Sequence, residues 1–145
     1  MSEAIDLERF KRAQANIYEQ VVAELKAGRK RSHWIWFIFP QIRGLGTSLM
    51  NERYAIRSLS EARAYLDDPV LYDRLVECCD LLLMHSSQPI DRLLGYPDNL
   101  KLKSSMTLFD AATPDDPIFQ EVLDAFFGGA TDPETLLKLT SEIDR

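Results

Sequence analysis

Lys101, Ser104 and Ser105 lie within about one turn of each other in the stretch LKLKSSMTLF (residues 100–109), with Lys103 and Thr107 alongside. On a helix, side chains three and four apart are neighbours, so Lys101 would sit beside both serines. A lysine next to hydroxyls can hold a phosphate or carboxylate, or activate a hydroxyl nucleophile. The same pattern suits an exposed lysine face whose serines hydrogen-bond back to their own helix. Serine has middling helix propensity, so this run of hydroxyl residues needs a local reason.

A second stretch, HWIWFIFPQIRGLG (residues 33–46), sets four Trp and Phe rings among seven residues without formal charge. It then breaks at Pro40 and enters a loop punctuated by Gly44 and Gly46. Trp34 and Trp36 suit packing first, but a buried indole N–H also needs a partner. An aromatic wall beside Gln41, Arg43 and glycine backbone is also how a flat ring with a charged appendage is held. His33 fits a helix start, where the N-terminal dipole favours neutral imidazole. The candidate ligand-binding set is therefore His33, Trp36, Gln41, Arg43, Gly44 and Gly46 on one wall, with Lys101, Ser104 and Ser105 opposite. No residue is given a catalytic role. His33, Ser105 and Asp132 would make a hydrolase-like triad only if they met in space, and residue types alone do not establish that. There is no phosphate loop, dinucleotide fingerprint or HExxH, and two histidines with two adjacent cysteines do not make a zinc site. No metal or cofactor is expected.

The elements that must position these groups read as helices. Leu7, Phe10, Ile17, Val21 and Leu25 recur at helical spacing over residues 6–27, with Asp6 as cap and Gly28 as terminator. Gln14 lies on that stripe and must bond another helix or reach a pocket. Ser32 is the expected cap of a short buried helix over residues 33–39, stopped at Pro40, with a strand paired across a dimer as the alternative. Residues 41–51 read as loop and 59–66 as helix, capped by Ser58 or Ser60. Asp68-Pro69, Asp116-Pro117 and Asp132-Pro133 share one start signal, a capping carboxylate before a proline at the first helical position. They open helices over 69–84, 117–127 and 133–140. Cys78 and Cys79 fall on the inner side of the first and read as core residues. A short helix over 89–94 ends at Gly95, and Asp98 is the expected cap of a helix running to residue 111. The predicted fold is all-α, a single domain over residues 1–145 with roughly seven or eight short and medium helices.

The composition, 46% apolar and 28% charged, is that of a soluble globular chain. The net charge of −6 is uneven, near +2 over residues 1–72 and −8 over the rest. Lys26, Arg29, Lys30 and Arg31 form the one basic run. It suits a solvated helix end as well as a phosphate. An acidic chain with so short a basic patch is a poor candidate for nucleic acid. No apolar run approaches about 18 residues, so no membrane span is expected. Without a secretory pattern or disulfide framework, the cytoplasm is the expected location.

Five stretches together resemble the bacterial family called domain of unknown function 1810: DLERFKRAQ (6–14), GRKRSHWIWFIFPQIRGLG (28–46), SLSEARAYLDDPVLYDRL (58–75), DNLKLKSSMTLF (98–109) and FFGGATDPETLLKL (126–139). The resemblance covers residues 6–139 and implies a compact, largely helical fold with no established activity. Members often carry the label "calpastatin". Calpastatin-like inhibitors are disordered chains, and the strong amphipathic periodicity here argues against that label. Two functional readings follow. One is a small domain binding or processing an anionic, ring-bearing ligand of the nucleotide or ADP-ribose type, between residues 33–46 and 101–107. The other is a non-catalytic protein-interaction module, such as a homodimer, using the aromatic stretch as its surface.

Overall fold

The computed structural model describes residues 5–143, so residues 1–4 and 144–145 of the expected domain lie outside the described part. Ten helices are found there: α1 (Glu8–Ala15), α2 (Tyr18–Ala27), α3 (Ile35–Ile38), α4 (Leu49–Tyr54), α5 (Leu59–Asp67), α6 (Pro69–Leu83), α7 (Ile90–Leu94), α8 (Asp98–Ala112), α9 (Ile118–Phe127) and α10 (Pro133–Ile143). The all-α class is as expected. The higher helix number has two sources.

The first is a break in the expected 6–27 helix. Ile17 N–H bonds Gln14 C=O, three residues back, and the ladder restarts at α2. The break lets α1 pack on α3 and α6 while α2 packs along α6. No glycine or proline marks it. The second is α4, which begins inside the stretch read as loop. Ser48 caps it, accepting from Asn51 N–H at 3.1 Å.

Other expected ends form as read. Gly28 closes α2 in the left-handed conformation at φ 74°, open to glycine at little cost. Ser58 caps α5, and Asp68 caps α6 through Val70 and Leu71 N–H. Four expected caps differ. Leu7 and Pro117 are the N-cap residues of α1 and α9, so Asp6 and Asp116 lie one position earlier, where they accept from Glu8 N–H at 3.1 Å and Ile118 N–H at 3.2 Å, and Pro117 precedes the first helical position. Ser32 bonds Glu24 instead of α3. Asp98 is the first residue of α8, and its carboxylate is held by Lys30 and Lys101.

Helix α8 is the centre of the fold. Leu102 and residues 104–109 are all buried, so its middle is enclosed on every side. Helices α3, α5, α7, α9 and α10 pack around it. Phe109 lies between Tyr65 and Phe119, with ring centroids 5.2 and 5.7 Å away. Cys78 and Cys79 are buried free thiols on α6. Among the described residues no helix is long and apolar enough to cross a membrane.

Candidate functional site

Glu24, near the end of α2, sets the path of the chain into the aromatic stretch. Its buried carboxylate accepts from Arg31 N–H at 2.7 Å, Ser32 N–H at 3.0 Å, the Ser32 hydroxyl at 2.7 Å and Trp34 Nε1–H at 2.9 Å. Burial alone would favour the protonated acid. These bonds outweigh it and hold the carboxyl down at about 2, from an ordinary 4.5. With Trp34 anchored, Ile35, Phe37, Ile38 and Phe39 enter the core and His33 stays exposed. An interaction surface made of these aromatics is therefore not on offer.

Trp36 faces the other way, towards α8. Lys101 Nζ lies 5.0 Å from its ring centroid, and Lys30 Nζ stands at the same distance from Trp34. Asp98 joins the two lysines, one carboxylate oxygen to each, at 2.7 Å from Lys30 and 3.3 Å from Lys101. Lys101 is thus held by a carboxylate and an indole face, a cation–π geometry.

Past Pro40 the chain makes one parallel bridge, Ile42 with Ile56, through Ile56 N–H to Gln41 C=O at 2.8 Å and Arg43 N–H to Ile56 C=O at 2.9 Å. Within the loop so closed, Gly46 has a steric reason. A Cβ there would fall 2.3 Å from the Asn51 amide nitrogen.

These elements enclose a cleft of about 260 Å³. Gln41, Leu45, Gly46 and Asn51 form one side, Pro97, Leu100, Lys101 and Ser104 the other, and Asp132 and Glu134 complete it. Ser104 Oγ reaches Leu100 C=O at 3.2 Å and Asp132 Oδ2 at 3.0 Å, two acceptors for one proton. Asp132 Oδ2 also accepts from Thr135 N–H and Thr135 Oγ1–H, at 3.1 and 2.6 Å. A second cleft of about 500 Å³ adjoins the first across Gly46 and Asn51, and Arg43, Gly44, Glu52 and Arg57 line it.

The candidate residues therefore separate. Gln41, Gly46, Lys101 and Ser104 meet in the smaller cleft. Arg43 and Gly44 line the larger one. Trp36 lies beneath the loop beside a void of about 10 Å³ that Gln41 and Asn51 also line, and its buried indole N–H has no partner. That void is the size of one water. His33 lines none of these spaces. Ser105 is fully buried with its hydroxyl unpartnered, so it joins neither the cleft wall nor a triad with Asp132. Asn51, Arg57 and Glu134 were not singled out in sequence, because only the bridge and the α8–α10 packing bring them here. Among the described residues no group of three or more His, Cys, Asp or Glu is placed to hold a metal ion.

Charge decides what the smaller cleft accepts. Lys101 already has Asp98, and Asp132 and Glu134 add two carboxylates. Such a wall favours a ligand that brings donating hydroxyls and ring edges alongside its anionic group over a bare anion.

A family model described as "Protein of unknown function (DUF1810)" matches residues 4–139. The fold is similar to the crystal structure of the conserved hypothetical protein Rv1873 from Mycobacterium tuberculosis. That chain is 48% identical, with a TM-score of 0.92, over 95% of this chain and 99% of the other. No curated protein matches significantly.

Proposed function

This chain belongs to the DUF1810 family of proteins of unknown function, and on that premise we propose that it binds a small, anionic, ring-bearing molecule of the nucleotide or ADP-ribose type. The observation that carries the reading is the cleft in which Gln41 and Gly46 face Lys101 and Ser104. Amide, hydroxyl, ammonium and carboxylate groups converge there beside apolar Leu45 and Leu100, as in small-molecule sites generally. Asp132 and Glu134 suit the hydroxyls of a sugar, and Leu45 and Leu100 suit a ring. A reducing compartment suits the buried free thiols of Cys78 and Cys79, so the proposal places the protein in the cytoplasm.

Thermal unfolding tests this with ADP-ribose, NAD, AMP and sugar phosphates. At least one compound is expected to raise the melting temperature with dose. Lys101→Ala should abolish the shift and lower the ligand-free melting temperature only slightly, since the contact with Trp36 is lost while Asp98 keeps Lys30. Gln41→Ala should reduce the shift. No shift across the panel, or one that survives both substitutions, would defeat the reading.

A further inference from the structure

Helix α6 turns one side to the core and leaves the opposite side bare. Leu71, Leu75, Cys78 and Leu82 are buried. Asp73, Glu77, Asp80 and Met84 recur at helical spacing on the other side, and all four are exposed. Tyr72, Val76 and Leu81 flank the carboxylates along a shallow groove of about 440 Å³, and Met84 stands 75% exposed at the helix end. The far end of this face is basic. His85 follows Met84 and packs on Gly28, where a Cβ would meet its Cε1 at 3.1 Å, and its Nε2 lies 3.2 Å from Lys26 C=O. The turn after Gly28 is tied to α7 by Lys30 N–H, bonded to Leu93 C=O at 2.7 Å. Lys26, Arg29 and Arg92 are thereby gathered beyond the C-terminal end of α6, and all three are exposed. Lys30 between them turns inward to Asp98. Asp91 adjoins Arg92, yet among the described residues no carboxylate pairs with Lys26, Arg29 or Arg92, and no cation pairs with Asp73 or Asp80.

We propose that the outer face of α6 is the contact between two copies of this chain, packed antiparallel about a two-fold axis. The charges select this occupant. A face that carries one sign in each half is complementary to itself when reversed. Asp73 and Met84 lie about 16 Å apart along the helix axis. One rotation therefore sets Asp73, Glu77 and Asp80 of each copy against Lys26, Arg29 and Arg92 of the other, with Met84 near the axis. The contact is closed, because both halves of both faces are used. Charge dominates it and the apolar part is small, so the dimer is salt-sensitive and not obligate. Neither of the two clefts shares a residue with this groove, so the surface stands apart from the ligand-binding reading.

Sedimentation velocity of the full chain tests this, from micromolar to millimolar concentration in dilute buffer. The sedimentation coefficient should rise to that of a dimer and stop there, and added salt should return it to that of a monomer. Reversing the acidic half (Asp73→Lys with Asp80→Lys) or the basic half (Arg29→Glu with Arg92→Glu) should weaken self-association by about tenfold. Mixing the two variants should restore a dimer with one copy of each, because every contact is then between opposite signs. A chain that stays monomeric in dilute buffer overturns the proposal. So does assembly that continues past the dimer, since that requires an open head-to-tail contact. A dimer that survives both reversals lies on another face and overturns it as well. NMR of the wild-type chain decides the face even if a variant does not fold. Amide signals that move with concentration should fall at residues 26–29, 73–85 and 92, and movement confined to other residues rejects the α6 contact.

Discussion

At the scale of single residues, Glu24 shows how one side chain fixes a segment. Its carboxylate takes two backbone N–H groups, the Ser32 hydroxyl and the Trp34 indole at the mouth of the aromatic stretch. Truncating it leaves the buried Trp34 indole and the partly buried donors of Arg31 and Ser32 without their acceptor, so Glu24→Ala should cost about 3 kcal/mol. The sign of its pH dependence follows from the lowered pKa. The carboxylate contributes fully above its ordinary 4.5, and the contribution is lost as pH falls towards about 2. Urea denaturation should show wild type exceeding Glu24→Gln at pH 7, with the gap closing through that acid window. A gap that stays constant would show that the charge of Glu24 does not matter. Gln14 resolves in the same way. Its amide donates to Phe37 C=O at 2.7 Å and the Tyr65 hydroxyl at 3.1 Å, and it accepts from Arg74. It braces three helices and faces no pocket.

At the scale of elements, α8 explains its own hydroxyl run. The Ser104 and Thr107 side chains bond back to Leu100 and Lys103 C=O. Their further partners lie at the start of α10, where Ser104 meets Asp132 Oδ2 and Thr107 Oγ1 accepts from Asp132 N–H. The two helices are thus pinned through Asp132, by its carboxylate and by its backbone N–H. Asp132→Ala removes a cap and this link together, and should cost about 2 kcal/mol. Asp116→Ala, which gives up the bonds from Ile118 N–H and the Tyr72 hydroxyl, should cost about 1 kcal/mol, the cost of a cap. The comparison is again by urea denaturation, and a near-zero cost for Asp132→Ala would reject the pinning role.

At the scale of the whole molecule, the core closes over Cys78 and Cys79. Burial pushes the Cys78 thiol up to about 12 and that of Cys79 well above its ordinary value, so neither forms thiolate near neutrality. Native protein should therefore resist thiol reagents, with both residues labelled together only as the chain unfolds globally. Rapid labelling of either in native protein would mean that α6 opens separately from the rest.

The sequence alone carried the helical class, the Asp-Pro start at Asp68, the stop at Gly28 and the burial of both cysteines. Each depends on neighbours a few residues away, through periodicity, capping or backbone freedom. It also singled out two stretches that the fold brings together, since Gln41 and Gly46 face Lys101 and Ser104 across one cleft. The tertiary structure alone decided which residues share a space. His33 was left outside because Glu24 anchors the neighbouring Trp34, and Ser105 entered the core because other helices surround α8. Arg43 and Arg57 came to line one cleft through a bridge between Ile42 and Ile56, 14 positions apart. No local pattern reports such a contact, because its stabilisation comes from packing Ile42 and Ile56 into a core that exists only once the other helices have assembled.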